Sequence, residues 1–175
     1  MKNIVLIGMP GTGKSTAGVI LAKRLGYDFL DTDIFMAKRE GRSLPAIIEQ
    51  DGLERFLELE GEAGQAVNCT STIIATGGSM VFSEAAMTHL KKNAVIIWLD
   101  TPIEILEERL SSTAREDRGV AAPADMTVRD IYELRKPLYF KYADLRLRCT
   151  PGVDSVVSDI RSALICMDLS DEVSR

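Results

Sequence analysis

The chain has 175 residues, of which 46% are hydrophobic and 27% are charged, a balance typical of one globular domain and not of a disordered segment. Its net charge of −5 argues against nucleic-acid binding, because proteins that grip nucleic acid carry a basic surplus. The longest apolar runs, such as residues 95–99, are too short to cross a bilayer, so no membrane partner is expected. Three widely spaced cysteines without a CxxC pair predict reduced thiols in a cytoplasmic protein.

Short apolar strands alternate with amphipathic helical stretches along the chain. The predicted strands, in chain order, are residues 2–7, 27–30, 72–76, 95–99 and 145–149. The predicted helices are residues 15–25, 34–67, 83–91, 103–110, 127–142 and 153–166. Continuously apolar strands suit a parallel sheet that is covered on both faces. The alternation therefore predicts a three-layer α/β fold, with a central parallel five-stranded sheet flanked by helices.

Glycine and proline interrupt this pattern. The breaks in the long helical stretch lie at Gly41, at residues 43–45 and at residues 51–52. Pro137 is expected to end or kink the helix that contains it. Residues 111–125 are polar and show no period, which predicts a mobile loop. We expect a single domain over residues 1–168, followed by a C-terminal tail at 169–175.

The segment Gly8-Met9-Pro10-Gly11-Thr12-Gly13-Lys14-Ser15 matches the phosphate-binding pattern G-x-x-x-x-G-K-[ST]. A predicted buried strand precedes it and a predicted helix follows, which is the context that the motif requires. Backbone N–H groups around Gly11, Thr12 and Gly13 would surround phosphate oxygens at the positive end of the helix dipole. Lys14 is expected to reach the β- and γ-phosphates, and the Ser15 hydroxyl to bind Mg²⁺. No N-K-x-D tetrapeptide is present, which favours ATP over GTP.

Acidic residues end two of the predicted strands. Asp100 precedes Thr101-Pro102, so a helix-capping role explains it without chemistry. Asp31 and Asp33 lie at the end of the second strand, where α/β sheets bind ligands. One of these two carboxylates could orient Mg²⁺-bound water while the other accepts the proton of an attacking hydroxyl. The alternative is that Asp33 only caps the helix that follows.

Together these segments resemble the shikimate kinase family over nearly the whole chain. The shared segments are the P-loop, Asp31-Thr32-Asp33, Gly41-Arg42-Ser43, Phe56 with Glu60, Ile74-Ala75-Thr76-Gly77-Gly78 and Arg135-Lys136-Pro137-Leu138-Tyr139. The acidic triplet and the last segment are the more specific, since many kinases share the P-loop. The resemblance implies a P-loop NTPase fold of the nucleoside-monophosphate-kinase type. It also implies a lid at 111–125, substrate-binding helices within 33–68, and ATP with Mg²⁺ as cofactors.

On the nucleotide side, the resemblance implies a set of binding residues. Those that would hold ATP and Mg²⁺ are Lys14, Ser15, Thr16 and, through water, Asp31. Arg118 is implied as the lid arginine over the transferring phosphoryl group, with Arg115 as the alternative. Arg109 would lie against adenine, although a place on the exposed face of its helix explains this residue equally well. The turn Pro151-Gly152 would help to frame the base.

On the substrate side, the resemblance implies a small hydroxy acid as the acceptor. The implied binding residues are Asp33, Leu57, Glu60, Gly77, Gly78, Ser79 and Arg135. Asp33 would bind the reacting hydroxyl and act as the base, so that Lys14, Asp33 and Arg118 form the catalytic set. Gly77 and Gly78 would lend backbone groups to the site. Arg135 would pair with a substrate carboxylate, a bidentate task that suits arginine.

The chain departs from the family pattern on this substrate side. Leu57 stands where the family carries a second carboxylate-binding arginine, and Ser79 replaces the last residue of a glycine triplet. Arg55 cannot easily substitute, because two residues along a helix are about 200° apart. After Arg118 the lid reads Gly119-Val120 instead of proline-leucine. Losing one charged partner would cost a bound carboxylate roughly 1.5–3 kcal/mol, so these edits indicate substrate drift more than loss of activity.

Three functions remain open on the sequence. The first is phosphorylation of shikimate to shikimate 3-phosphate, a step of aromatic amino-acid biosynthesis. The second is a related kinase for another hydroxy acid or amino acid, such as homoserine or a sugar acid. The third is a non-catalytic, ATP-responsive binding module, which the intact Lys14, Ser15, Asp31 and Asp33 argue against. A monomer is expected at this size.

Overall fold

The computed structural model describes residues 2–110, 120–123, 125–149 and 152–167. Its strands form a single sheet in the spatial order β2-β3-β1-β4-β5, and all four neighbouring pairs are parallel. The strands are β1 Asn3–Ile7, β2 Asp28–Asp31, β3 Thr72–Ala75, β4 Ala94–Asp100 and β5 Leu145–Arg148. The predicted central parallel five-stranded sheet is therefore confirmed.

Helices cover both faces of this sheet. They are α1 Lys14–Leu25, α2 Thr32–Glu40, α3 Leu44–Ala66, α4 Glu84–Lys91, α5 Ile103–Arg109, α6 Val128–Tyr142 and α7 Val153–Cys166, with a 3₁₀ turn at Met80–Phe82. Ser43 begins α3 by accepting a hydrogen bond from the Ala46 N–H. Gly52 interrupts α3 with a φ of 82°, as the sequence predicted for residues 51–52.

Strand β1 is buried on both faces, which explains its continuous apolar sequence. Val5 and Ile7 belong to an apolar cluster that includes residues of α4, α5 and α6. Ile4 and Leu6 belong to a second cluster with residues of α1 and α7. Because successive side chains point to opposite faces of a strand, β1 supplies both layers of core at once.

A third, smaller apolar cluster lies away from the sheet, between α2 and α3. Its buried members are Met36, Ile47, Phe56, Leu59, Ala63 and Ala121. Phe56 directly precedes Leu57 on α3, and Leu59 directly precedes Glu60. This cluster thus anchors the part of α3 that carries predicted substrate residues.

Pro137 lies inside α6 without ending it, because the helix continues to Tyr142, and a local kink there stays a prediction. The capping role expected of Asp100 was wrong. Asp100 does not cap α5, which begins after Pro102 without a side-chain cap. The Asp100 carboxylate instead accepts hydrogen bonds from the Tyr132 hydroxyl at 2.9 Å and from Arg146 Nε and Nη2 at 2.9 and 2.7 Å. Asp100 therefore pairs with residues distant in the sequence and does not cap the helix next to it.

The predicted lid and tail lie largely outside the described residues. Residues 111–119 and 124 of the lid, and residues 168–175 at the C-terminus, are not among them. Within the part of the chain that the structure describes, no helix is both long and apolar enough to cross a membrane.

We expect Asp100→Ala to lower the free energy of unfolding by about 1.5–3 kcal/mol, because it removes the charged acceptor of a buried network. The Arg146 guanidinium, which stacks 4.9 Å from the Trp98 ring centroid, would then lose its partner. Urea unfolding followed by tryptophan fluorescence measures the change. Glu54→Ala, on the exposed face of α3, serves as the control and should stay within about 0.5 kcal/mol. Equal stability of the Asp100 variant and the wild type would contradict this role.

Candidate active site

The P-loop connects the end of β1 to the start of α1. Gly13 precedes α1 with a φ of 89°, a left-handed conformation that glycine adopts without strain. Gly8 needs to be glycine for a different reason, since a Cβ there would lie 2.6 Å from the Leu99 carbonyl oxygen on β4. The motif therefore folds as its glycines require, with its helix N-terminus open to a ligand.

Lys14 is buried beneath this loop. Its Nζ donates to the carbonyl oxygens of Gly8 and Met9 at 2.8 and 2.9 Å. Burial lowers the pKa of Lys14 to about 8, although the negative charge of Asp33 opposes that shift. The ammonium group is thus held in place before any phosphate is bound.

The oxygen atoms of the Ser15 hydroxyl and the Asp31 carboxylate are suitable ligands for a magnesium ion. The Ser15 hydroxyl donates to Asp31 Oδ2 at 2.6 Å. Mg²⁺ is commonly held by one or two protein oxygens together with substrate phosphates and water. No group of three or more His, Cys, Asp or Glu side chains suited to a metal occurs among the described residues.

Asp31 and Asp33 have different surroundings. Asp31 caps α2, because its Oδ1 accepts from the N–H groups of Asp33 and Ile34. The alternative that Asp33 caps this helix is therefore wrong, since α2 begins at Thr32 and Asp33 lies in its first turn. Asp33 is half-buried and lines the main cavity. Burial raises its pKa to about 6, and the charge of Asp31 adds to the shift.

A cavity of about 610 Å³ lies at the carboxyl edge of the sheet. It brings together P-loop residues and most of the predicted substrate residues. Its described lining is Pro10, Gly11, Gly13, Lys14, Ser15, Thr16, Asp33, Leu44, Phe56, Glu60, Thr76, Gly78, Ser79, Arg109, Val120, Ala121, Arg135 and Val153. Such convergence of parallel strand ends is where α/β sheets bind ligands.

Glu60 and Ser79 form a buried pair in the wall of this cavity. The Ser79 hydroxyl donates to Glu60 Oε2 at 2.5 Å. Burial raises the pKa of Glu60 to about 7, the negative charge of Asp33 adds to the rise, and the Ser79 hydrogen bond opposes it. The side chain that replaces glycine at position 79 therefore holds a carboxyl group in position.

The Gly77–Gly78 turn packs tightly against the charged side chains. A Cβ on Gly77 would collide with Glu60 Oε1 and lie 2.6 Å from Asp33 Oδ1. A Cβ on Gly78 would lie 2.8 Å from Arg135 Nη1. The Gly77 N–H donates to the Thr32 hydroxyl, and the Gly78 carbonyl accepts from the Tyr139 hydroxyl. These two backbone groups are engaged within the protein, and the prediction that the turn lends backbone groups to a ligand rests on its other groups.

Arg135 is the most unusual side chain of the site, because its guanidinium is buried and only partly paired. The residue is 1% exposed, and its Nη2 donates to the Ala121 carbonyl at 2.6 Å. Its Nε and Nη1 have no hydrogen-bond partner among the described residues. Buried donors without partners are costly, so these two nitrogen atoms indicate a ligand that accepts from them.

Leu57 lies beside the main cavity and not in its described lining. It lines a neighbouring apolar cavity of about 230 Å³ together with Leu53 and Phe82. Arg135 and Ala121 line both cavities. Leu57 therefore puts an apolar surface on the far side of the guanidinium, where the family pattern predicts a second cation.

The nucleotide side has a smaller cavity of about 140 Å³ behind the P-loop. Arg109 lines both this cavity and the main one, and its Nη1 donates to the Gly11 carbonyl at 2.9 Å. Thr12 and Thr101 line the smaller cavity, and their buried hydroxyl oxygens have no partner among the described residues. The predicted Arg118 and Pro151 lie outside the described residues, as does the alternative Arg115.

Several lining residues were missed by the sequence reasoning. They are Leu44, Thr76, Val120, Ala121 and Val153 in the main cavity, and Thr101, Ile105 and Cys149 in the smaller one. Thr76 and Thr101 follow the ends of β3 and β4, so their place at a strand's carboxyl end was the available signal. The apolar residues carried no such signal.

Comparison with known proteins identifies relatives over most of the chain. A family model described as shikimate kinase matches residues 10–164. The chain is 36% identical to threonine synthase-like 1 of Pongo abelii over 86% of this chain, but it spans only 20% of the length of that relative. It is 32% identical to shikimate kinase 2 of Escherichia coli O1:K1, over 92% of this chain and 94% of the relative.

Solved structures give the same result. Shikimate kinase from Aquifex aeolicus superposes with a TM-score of 0.79 at 31% identity, covering 95% of this chain and 98% of that one. Shikimate kinase from Acinetobacter baumannii, in complex with shikimate, gives 0.78 at 25% identity, covering 99% and 96%. Residues 10–15 of the P-loop, the paired acidic residues and Arg135 lie within the matched region, and the chain therefore belongs to the shikimate kinase family.

Proposed function

We propose that the protein is an ATP-dependent kinase that transfers the γ-phosphoryl group to a hydroxyl group of a small carboxylate metabolite. The observation that carries this proposal is a single cavity lined by the P-loop, Asp33 and the partly unpaired Arg135. A phosphate-binding loop, an available base and a carboxylate receptor are the three elements that such a transfer needs.

The nucleotide is assigned to the P-loop side of this cavity. The triphosphate would follow the N–H groups of the loop to Lys14, and the base would reach the smaller cavity next to Arg109. There the hydroxyls of Thr12 and Thr101, which have no hydrogen-bond partner within the described part of the chain, offer polar contacts to a nucleobase or ribose. Ser15 and Asp31 would hold Mg²⁺, which when bound neutralises charge on the phosphates.

The acceptor is assigned to the opposite side, between Asp33 and Arg135. Asp33 accepts the proton of the attacking hydroxyl, and Lys14 stabilises negative charge on the transferring group. The oxygen–phosphorus bond to the acceptor forms as the bond to ADP breaks, so no phosphorylated enzyme is needed. Most of the acceleration then comes from positioning and charge stabilisation.

Shikimate is the first candidate acceptor. Relatives named shikimate kinase cover nearly the whole chain, and one similar structure is a complex with shikimate. The second candidate is another hydroxy acid or an amino acid. The apolar Leu57 and the Ser79–Glu60 hydrogen bond favour it, because both alter the acceptor side of the site.

An assay of ADP release with Mg-ATP and a panel of acceptors tests this proposal. The panel contains shikimate, L-homoserine, quinate and gluconate. Release that depends on one of these acceptors supports a kinase. Binding of ATP without ADP release in the presence of any acceptor would favour the third function, a non-catalytic ATP-responsive binding module. The monomeric state and the cytoplasmic location stay predictions.

Asp33→Asn should lower kcat by at least 100-fold, because general base catalysis typically contributes 10²–10⁴-fold. The dissociation constant for ATP should change by less than about threefold, since Asp33 lies outside the P-loop. Asp28→Asn, on an exposed residue of β2, is the control. Steady-state kinetics and calorimetry give both quantities, and full turnover by the Asp33 variant would exclude it as the base.

We expect kcat/KM for ATP to follow a bell-shaped pH profile. Below about pH 6, Asp33 becomes protonated and can no longer accept a proton. Above about pH 8, Lys14 loses the charge that binds phosphate. Because kcat/KM reports on the free enzyme, it is the quantity to measure between pH 5 and 9. The acid limb should be missing from the residual activity of Asp33→Asn, and a persistent limb would assign it to another group.

Arg135→Ala should raise the KM for the acceptor about 10- to 100-fold, because one charged hydrogen-bond partner is worth roughly 1.5–3 kcal/mol. Arg135→Lys keeps the charge but not the planar fork, and should recover only part of this loss. Arg129→Ala removes an exposed arginine of the same helix and is the matched control. An unchanged acceptor KM in both Arg135 variants would remove this residue from the site.

A further inference from the structure

Among the described residues, the acceptor side of the cavity has an excess of negative charge. Its described ionisable side chains are the carboxyl groups of Asp33 and Glu60 and the single guanidinium of Arg135. Lys14 and Arg109 lie toward the P-loop, where phosphate would engage them. A carboxylate ligand would neutralise Arg135, and among the described residues Lys14, which phosphate would engage, would then be the main cation acting on the two acidic groups.

The two carboxyl groups are close neighbours. A Cβ added to Gly77 would meet both of them, since it would collide with Glu60 Oε1 and lie 2.6 Å from Asp33 Oδ1. Glu60 Oε2 is occupied by the Ser79 hydroxyl, so Oε1 is the oxygen on the Gly77 side. Burial and the nearby charge of Asp33 raise the pKa of Glu60 to about 7, so a bound cation there would relieve an unfavourable interaction.

The opposite end of this region accepts an anion. A Cβ on Gly78 would lie 2.8 Å from Arg135 Nη1, and that nitrogen has no partner among the described residues. Gly77 and Gly78 are adjacent in the chain, so the acidic pair and the guanidinium face neighbouring points of one turn. A ligand that spans them must carry a cation and a carboxylate only a few atoms apart.

Leu57 is consistent with this charge pattern. It lines the apolar cavity next to Arg135, so it supplies no second cation for a carboxylate. Arg55, two residues earlier, is engaged by Glu58 and Glu62 at 2.8 and 3.1 Å. Neither residue 55 nor residue 57 therefore supplies a cation to this part of the cavity, and a cation carried by the acceptor would supply one.

We propose that the acceptor is a zwitterionic α-amino acid with a hydroxyl group on a short side chain. Its carboxylate binds Arg135, its ammonium group binds Glu60, and its hydroxyl group faces Asp33. This assignment rests on the proposed kinase function and specifies its substrate class. In the reaction, the hydroxyl oxygen forms the new bond to the γ-phosphorus, the bond to the β-phosphate oxygen breaks, and the hydroxyl proton moves to Asp33. The products are ADP and the O-phosphorylated amino acid.

The test compares L-homoserine with 4-hydroxybutyrate, which has the same carbon chain and lacks only the ammonium group. With Mg-ATP and the full chain, kcat/KM for L-homoserine should exceed that for 4-hydroxybutyrate at least tenfold, because a charged hydrogen bond is lost in the analogue. It should also exceed kcat/KM for shikimate. Equal values, or a preference for shikimate, would overturn the amino-acid assignment and leave the kinase function standing.

The second experiment uses Glu60→Gln, because this variant keeps a hydrogen-bond acceptor for the Ser79 hydroxyl and removes the negative charge. Its loss in kcat/KM should be at least tenfold greater for L-homoserine than for 4-hydroxybutyrate. A structural role for Glu60 would lower both equally and would contradict the proposal. Glu54→Gln, on the exposed face of the same helix, is the control.

Binding measured by calorimetry distinguishes a failure of the kinase function from a failure of the amino-acid assignment. If no acceptor is phosphorylated, the kinase function fails. Tighter binding of L-homoserine than of 4-hydroxybutyrate would still support the zwitterion site. Equal binding of the two compounds would overturn it.

Discussion

The buried ammonium group of Lys14 is the interaction on which the rest of the site depends. By donating to the Gly8 and Met9 carbonyls, it turns those oxygens inward and leaves the N–H groups at the start of α1 available to an anion. Gly8 must approach Leu99 of β4 closely for this to happen, so the loop is tied to the centre of the sheet. The sheet then places the ends of β2 and β3 beside the same lysine.

This arrangement concentrates charge where water is largely excluded. Burial lowers the pKa of Lys14 and raises the pKa of Asp33 and Glu60, so all three groups are shifted toward their neutral forms. Folding raises the pKa of these two carboxyl groups, so the native state binds their protons more tightly than the unfolded state does. The native state therefore becomes less stable as the pH rises from about 4 through the folded pKa. The apolar clusters on both faces of the sheet must offset that cost, and ligands that neutralise these charges should stabilise the fold.

The two halves of the cavity differ in how closely they follow the family. The nucleotide half keeps its P-loop, its Ser15–Asp31 pair and its paired acidic strand end. The acceptor half keeps Arg135 but has an apolar Leu57 beside it and a serine that holds Glu60. A retained phosphoryl-transfer apparatus with an altered acceptor pocket is how one fold comes to serve different substrates. In our proposal, the charge balance around Glu60, and not the shape of the sheet, distinguishes the candidate acceptors.

The sequence by itself determined the strand–helix alternation, the P-loop and the nearness of Asp31 and Asp33 to it, because these depend on local pattern and on glycine spacing. It could not decide between the roles of the two aspartates, since capping depends on whether α2 starts at Thr32 or at Ile34. The tertiary structure alone decided that Asp100 pairs with Arg146 and Tyr132, that Ser79 reaches Glu60, and that Arg135 donates to the Ala121 carbonyl. Each of these contacts joins residues far apart in the chain, and packing, not local propensity, selects such partners.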